Sequence, residues 1–256
     1  MNCFFLYGVQ VKIRKQPEHT KMPYLDHLIM QLANDAIKGN KASQDVALGT
    51  IVNMVTENPF ASMLVMRWYP ELLDKRTDLS RTSLNTGITI AHAIAEAAYE
   101  QPVLELFNRH NDTMFLLTED RERFVLSNAV SSSPKLAMNI VENYEPLLSK
   151  STPKGESIAF SIALKIAAPY LFRENPDLFN AYVRVLAKMI EKYPYTLNDR
   201  SSNYGIESAT IARLMFDSYN DAARYPEMDS GTIKHALEKN ANVITDDILL
   251  NDLKRK

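Results

Sequence analysis

The stretch Gly87-Ile88-Thr89-Ile90-Ala91-His92-Ala93-Ile94-Ala95 decides how the rest of the chain is interpreted. Glycine is rare, with seven residues in 256, yet two more stand in similar contexts, in Pro153-Lys154-Gly155-Glu156-Ser157-Ile158-Ala159 and Asn203-Tyr204-Gly205-Ile206-Glu207-Ser208-Ala209. Gly87 and Gly155 are 68 positions apart, or two units of 34, and Arg123-Phe124-Val125-Leu126 occupies the middle frame. A rare residue in a recurring frame indicates duplication, with a period close to the roughly 33 residues of some helical repeats.

Prolines recur at a corresponding position in four units, and each marks the predicted start of the second helix of its unit. They are Pro59, Pro102, Pro134 and Pro176. Proline fits the first helical turn, where its missing N–H costs no helical hydrogen bond. Similar terminators follow, at Trp68-Tyr69-Pro70, Arg109-His110-Asn111, Asn143-Tyr144-Glu145 and Tyr193-Pro194. Each unit is therefore predicted to be a helix pair, and a lone pair buries its apolar stripe only by stacking on neighbours.

The glycine stretch resembles the signature of ankyrin repeats, in which a finger glycine is followed by Thr-Pro-Leu-His and small residues. Gly87, Thr89, His92 and Ala95 match this signature, and Ile90 replaces its proline. The resemblance implies an all-α solenoid of stacked helix-turn-helix repeats with helical caps. It also implies that the Thr89–His92 pair ties the finger to the first helix by hydrogen bonds, which gives His92 a structural role.

The predicted units vary in length and in how well they match the signature. They begin near Asp45, Gly87, Arg123, Gly155 and Gly205, and the resemblance covers about residues 43 to 216. Ser157 and Phe160 stand where the signature has threonine and histidine, and the unit at Arg123 lacks the glycine. The long fourth unit also fits a HEAT-like or other α-solenoid, so both subtypes stay open.

One helical domain is predicted over residues 23–256. Residues 23–38 and 230–254 are predicted to cap the stack, because terminal repeats must expose one face to water. Residues 1–22 are expected to be a flexible arm, because residues 1–21 lack helical periodicity. The alternative is that residues 1–21 are an artefact of start-site choice and that translation starts at Met22.

Composition limits the classes of protein that the chain can represent. Apolar residues make up 46% of the sequence, and a formal net charge of −2 gives no overall field that attracts nucleic acid or an anionic membrane. The single cysteine, Cys3, excludes an intrachain disulfide, which favours a cytoplasmic protein. No stretch approaches the roughly 20 apolar residues of a membrane-spanning helix, and the opening residues lack a signal-peptide pattern.

The sequence contains no recognisable catalytic or cofactor motif. Glycine-rich phosphate loops, paired cysteines and the His-Glu-x-x-His zinc motif are absent. The five histidines are scattered, and none has another within four residues. We therefore expect no catalytic, cofactor-binding or metal-binding residues, and a protein that is not an enzyme.

Partner-binding residues are predicted in the loops between units and at the end of one helix. Ankyrin-like arrays commonly bind through finger loops and the concave first-helix face. Trp68 has no aromatic counterpart in the third unit, which makes it a candidate contact. The recurring Tyr69, Tyr144 and Tyr193 are instead assigned to packing between units. The predicted partner-binding residues are Arg81, Asn85, Arg121, Arg123, Lys154, Asn203 and Trp68.

The leading functional hypothesis is a protein–protein interaction module: a scaffold, adaptor or inhibitor that binds a macromolecular partner through its finger loops and concave face. The alternative is a nucleic-acid-binding solenoid that uses basic finger loops and the basic residues near the start of the chain, such as Lys12 and Arg14. Salt dependence distinguishes the two, because phosphate-driven binding weakens steeply as salt rises.

Overall fold

The computed structural model describes residues 24–76, 87–119, 123–200 and 209–254. These residues form helices connected by turns, with isolated β-bridges and no β-strand, as the all-α prediction requires. The α-helices are α1 (Leu25–Lys38), α2 (Lys41–Glu57), α3 (Pro59–Trp68), α4 (Ile90–Glu96), α5 (Glu100–Arg109), α6 (Val125–Ser132), α7 (Pro134–Asn143), α8 (Glu145–Leu148), α9 (Ile158–Ala163), α10 (Pro176–Lys192), α11 (Ile211–Ala222), α12 (Ser230–Lys239) and α13 (Asp247–Lys254). The predicted arm at residues 1–22 lies outside the described residues.

The helices pack in two rows. In the first-helix row, α2, α4, α6, α9 and α11 each contact the next member. In the second-helix row, α3, α5, α7, α10 and α12 do the same. Helix α1 packs on α2 and α3 at one end. Each pair is therefore covered by its neighbours along the chain.

A short antiparallel bridge precedes four of the first helices. The bridged pairs are Arg76 with Thr89, Leu117 with Phe124, Ser151 with Ser157, and Arg200 with Thr210. In each case the second residue is the N-cap of the helix that follows, and its backbone is extended, with φ from −80° to −87°. The first residue of each helix also donates its N–H back across the bridge, for example from Val125 to the Leu116 carbonyl at 3.0 Å. We call each bridged pair, with the residues next to it, a hairpin, and we number the four hairpins in chain order.

The Thr89–His92 hydrogen bonds that the resemblance implies are present. Thr89 Oγ1 accepts the His92 backbone N–H at 3.3 Å, and the Thr89 backbone N–H donates to His92 Nδ1 at 3.3 Å. Both residues are buried. This reciprocal arrangement pairs N–H groups that the first turn of α4 would otherwise leave without a partner. In α9 and α11 the caps are the Ser157 and Thr210 hydroxyls.

Two features of the structure require a glycine at position 87: its backbone conformation and the close approach of Glu119. Its φ is +79°, a conformation that strains residues with a side chain. A Cβ at this position would also lie 2.2 Å from the Cβ of Glu119, which belongs to the next hairpin. Gly155 shares the positive φ, at +86°, but it is exposed. At Gly87 and Gly155 the glycine therefore reflects a turn, and at Gly87 also close packing between hairpins. The third recurring glycine, Gly205, lies outside the described residues.

The second helices begin and end as the sequence pattern predicts, with one shift. Pro59, Pro134 and Pro176 are the first residues of α3, α7 and α10. Helix α5 instead begins at Glu100, two residues before Pro102, because proline fits anywhere in the first turn. The residues that end these four helices share one backbone conformation, with φ from −126° to −140° and ψ from 45° to 64°. These residues are Tyr69, His110, Tyr144 and Tyr193.

At the first and the last helix pair, the observed helix boundaries differ from the expected unit boundaries. The first unit starts earlier than Asp45, because α2 begins at Lys41 and Asn40 caps it by accepting the Ser43 N–H at 3.0 Å. The C-terminal region contains two helices, and α12 packs on both α10 and α11. Helix α12 therefore completes the last pair, which leaves α13 as the terminal helix.

Small residues pack between neighbouring first helices, and aromatic residues pack between units. Ala91, Ala93 and Ala95 of α4 are fully buried, which lets neighbouring first helices approach closely. In α10 the Tyr182 side chain is 1% exposed, and its Oη donates to the Val130 carbonyl of an earlier unit at 3.0 Å. The predicted packing role of Tyr144 also holds, since its ring lies edge-on against Phe107 with centroids 5.4 Å apart.

Candidate binding surface

The predicted binding residues fall on different parts of the structure. Arg123 and Lys154 are exposed and lie in successive hairpins. Trp68 is 61% exposed at the end of α3 in the second-helix row, with the Arg67 guanidinium carbon 5.0 Å from its ring centre. The hairpins thus bring two predicted cations to one edge, and Trp68 belongs to the other row. The remaining predicted residues lie outside the described part of the chain: Arg81, Asn85, Arg121 and Asn203.

The hairpin that carries Lys154 is firmly held. The Thr152 N–H donates to the Glu156 carbonyl at 3.0 Å, and the Gly155 N–H donates to the Thr152 carbonyl at 2.8 Å. Glu156 is 3% exposed, and its carboxylate accepts the Ser161 hydroxyl at 2.7 Å. Lys154 therefore extends from a turn whose backbone is fixed on both sides.

Hydrogen bonds also connect one hairpin to the next. Arg76 donates to the Gly87 carbonyl at 2.5 Å and to the Leu117 carbonyl of the following hairpin at 2.6 Å. Ser157 donates to Asp199 Oδ2 at 2.9 Å, across the interval between the third and fourth hairpins. Burial raises the pKa of Asp199 above its usual value, and the Ser157 hydrogen bond partly offsets this. Hydrogen bonds therefore connect the first hairpin to the second and the third hairpin to the fourth.

A polar cluster that the sequence did not reveal lies beside this edge. It consists of Glu96, Arg123, Asn128 and Lys165, from three successive units. The Asn128 side chain of α6 donates to Glu96 Oε1, at the end of α4, with a length of 3.0 Å. Arg123 and Lys165 are close enough to act on the Glu96 charge. The first helices are otherwise built mostly of buried apolar residues, so polar groups within them and next to them stand out.

The charged groups of the polar cluster shift one another's pKa values. Burial lowers the pKa of Lys165 to about 8, and the Arg123 cation adds to that effect while Glu96 opposes it. Burial likewise raises the pKa of Glu96, against the influence of Arg123, Asn128 and Lys165. The Glu96 side chain is nevertheless exposed to solvent, and Lys165 is half-buried. Charged groups of both signs therefore lie close together where a ligand can reach them.

Serine hydroxyls hold the helices that carry the polar cluster. Ser131 of α6 donates to the Ser161 carbonyl of α9 at 3.2 Å, and Ser132 donates to the Ala95 carbonyl of α4. These bonds run between neighbouring first helices rather than within one. A ligand at the polar cluster would therefore meet side chains whose supporting backbone is already positioned, which lowers the entropic cost of binding.

Three residues of the polar cluster, Glu96, Asn128 and Lys165, were not predicted as site residues, because each carries only a weak signal in the sequence. Glu96 and Lys165 each follow a run of small and apolar residues, and Asn128 interrupts one. Each position looks like an ordinary helix-end polar residue when it is taken alone. Only the packing of α4, α6 and α9 brings residues 32 to 69 positions apart into one cluster.

Neither a metal site nor a membrane-spanning helix is found among the described residues. Among residues 24–76, 87–119, 123–200 and 209–254, no group of three histidine, cysteine or acidic side chains is placed to hold a metal ion. No helix in the described chain is long and apolar enough to cross a membrane. Comparison with known proteins finds no matching family model, no matching characterised protein and no matching solved structure.

Proposed function

We propose that this chain is a helical binding module that recognises a macromolecular partner and performs no catalysis. The support is a row of hairpins that hydrogen bonds connect in two pairs, with Arg123 and Lys154 exposed on successive hairpins. Successive units each contribute part of this surface, as expected when recognition uses an extended face.

More particularly, the module is an ankyrin-like solenoid. The support is the bridge before four of the first helices, together with the capping exchange between Thr89 and His92. In such an array the first-helix row forms the concave face and the hairpins form the fingers. The polar cluster would then lie on the concave face, where a folded partner can contact several units at once.

The partner is a protein that presents acidic groups, and the module acts as a scaffold, adaptor or inhibitor. The exposed cations Arg123 and Lys154 on successive hairpins support a negatively charged ligand. The overall charge of −2 argues against a broad attraction to nucleic acid. A cytoplasmic setting completes the proposal, because the chain has one cysteine and so needs no oxidising compartment for folding.

Affinity purification from the native cell followed by mass spectrometry tests this proposal. The parent is compared with an Arg123→Glu, Lys154→Glu double variant. The matched control is Arg109→Glu, Lys135→Glu, which makes the same charge change on exposed positions of the second-helix row. We expect a protein that the parent and the control retain and that the hairpin variant loses.

Two outcomes contradict the proposal. If all three proteins retain the same partner, the hairpins and the polar cluster are not the binding surface. If the parent instead retains DNA or RNA, and that binding weakens steeply as salt rises, the nucleic-acid alternative is favoured. Thermal unfolding of all variants shows whether each is still folded.

A further inference from the structure

A groove in the second-helix row offers a surface separate from the hairpins. It has a volume of about 360 Å³ and lies between α10 and α12, with a contribution from Met138 of α7. Ala187 and Ala236 line it beside Met138. Small side chains at these positions leave space into which an apolar side chain of a ligand can insert.

Cations line the groove from both helices. Arg184 and Lys188 come from α10, and Lys239 comes from α12, four residues after His235, which also lines the groove. The two residues on each helix are four apart, so they lie on one face. The groove therefore combines an apolar floor with basic sides.

Two of these cations make no close ion pair among the described residues, although Glu191 also lines the groove and lies near enough to act on the Lys239 charge. Lys188 Nζ lies 2.9 Å from Glu191 Oε2, in an ion pair exposed to solvent. Arg184 and Lys239 form no ion pair within the described chain. Arg184 is exposed, as is Lys239. An acidic ligand could thus pair with both residues without breaking an existing ion pair.

We propose that this groove docks an acidic amphipathic peptide segment of a partner protein. The apolar floor would receive its hydrophobic side chains, and Arg184 and Lys239 would bind its carboxylates. The first residues of this same chain are a poor occupant because they include Lys12, Arg14 and Lys15, which have the same sign as the groove. Nucleic acid fits less well, since a sugar–phosphate backbone has no aliphatic side chain to insert between Met138, Ala187 and Ala236.

Fluorescence anisotropy with the full chain tests the docking site directly. The probe is a fluorescein-labelled helical peptide of about 12 residues, roughly 18 Å long, with glutamate on one face and leucine on the other. A reference probe has lysine in place of glutamate. We expect the glutamate probe to bind, to bind more weakly as salt is raised from about 0.05 M to about 0.5 M, and the lysine probe not to bind.

Variants separate the contributions of charge and shape. Arg184→Glu with Lys239→Glu should weaken binding of the glutamate probe by about tenfold or more. Ala187→Phe changes no charge but fills the floor, and should weaken binding by a similar factor. The control, Lys38→Glu with Arg224→Glu, alters net charge equally at exposed positions away from the groove and should stay within about twofold of the parent.

The outcomes are independent of the hairpin proposal. Absence of glutamate-probe binding by the folded parent would overturn the docking site, as would an equal loss in the control variant. Displacement of the probe by duplex DNA at low salt would indicate a nucleic-acid groove instead. The Arg123→Glu, Lys154→Glu variant should bind the probe as the parent does, whether or not its hairpins bind a partner.

Discussion

Single residues in this protein are constrained either by backbone conformation or by the charges around them. Gly87 belongs to the first kind, since its positive φ and its contact with the next hairpin exclude a side chain. Lys165 belongs to the second kind, since burial and a neighbouring cation disfavour its charged form. Both constraints can be measured by substitution.

Gly87→Ala should lower the free energy of unfolding by about 2 kcal/mol or more, because a positive φ and an atomic overlap add together. Gly155→Ala is the matched control. Its exposed position carries the φ strain alone, which costs about 1 kcal/mol. Urea unfolding at equilibrium measures both losses. Equal losses in the two variants would show that the contact between Gly87 and Glu119 has no energetic weight.

Lys165 should make stability depend on pH in the alkaline range. Its pKa is about 8 in the folded chain, below the ordinary lysine value of 10.5 that applies in the unfolded chain. Between these values the unfolded chain binds more protons than the folded chain, so stability supplied by this group increases as pH rises through that window. Lys165→Met should remove that increase.

Urea unfolding of the parent and the Lys165→Met variant at pH values of about 8 and 10 measures this effect. The difference between the two proteins isolates Lys165 from the other lysines. A difference that does not change with pH would contradict the lowered pKa. An NMR titration of labelled lysine gives an independent reading, with an expected midpoint near 8.

At the scale of helices, the same kind of side-chain N-cap recurs in different units. Side chains cap α3, α7 and α10, through Asn58, Ser133 and Asn175, and their hydrogen bonds are 2.9 to 3.3 Å long. One helix in each row lacks a side-chain cap: α5, where Tyr99 stands at the N-cap, and α6, where Phe124 does. A seven-residue helix such as α4 depends strongly on its cap, since short helices are marginal in isolation.

Thr89→Ala should therefore destabilise the protein by about 1 to 2 kcal/mol, because it removes the hydroxyl that accepts the His92 N–H. Thr89→Ser keeps that hydroxyl and should lose less than about 0.5 kcal/mol. Thermal unfolding ranks the two variants, and amide hydrogen exchange reports whether α4 frays. Equal destabilisation by alanine and serine would assign the effect to the lost methyl group instead.

At the scale of the whole molecule, each helix pair is stabilised mainly by its neighbours in the two rows. Contacts run from each first helix to the next and from each second helix to the next. In such an arrangement stability is approximately a sum of local terms, so damage at one end should stay near that end.

Leu237→Ala tests how far damage spreads. Leu237 is fully buried in α12, and its truncation should cost about 2 to 5 kcal/mol. Hydrogen exchange should accelerate in α10, α11 and α12, while α2 and α4 keep their protection. A uniform loss of protection along the chain would show that the helices unfold as one cooperative unit.

The sequence alone indicated the helical class, the second-helix starts at Pro59, Pro134 and Pro176, and the capping pair Thr89–His92. These features depend on interactions within a few residues, so they leave a local pattern. The tertiary structure decided which distant residues meet. The polar cluster joins Glu96 to Asn128 and Lys165, and the groove joins Arg184 to Lys239, because helix pairs stack in one register. That register depends on the packing of many buried side chains at once, and no short stretch of sequence contains it.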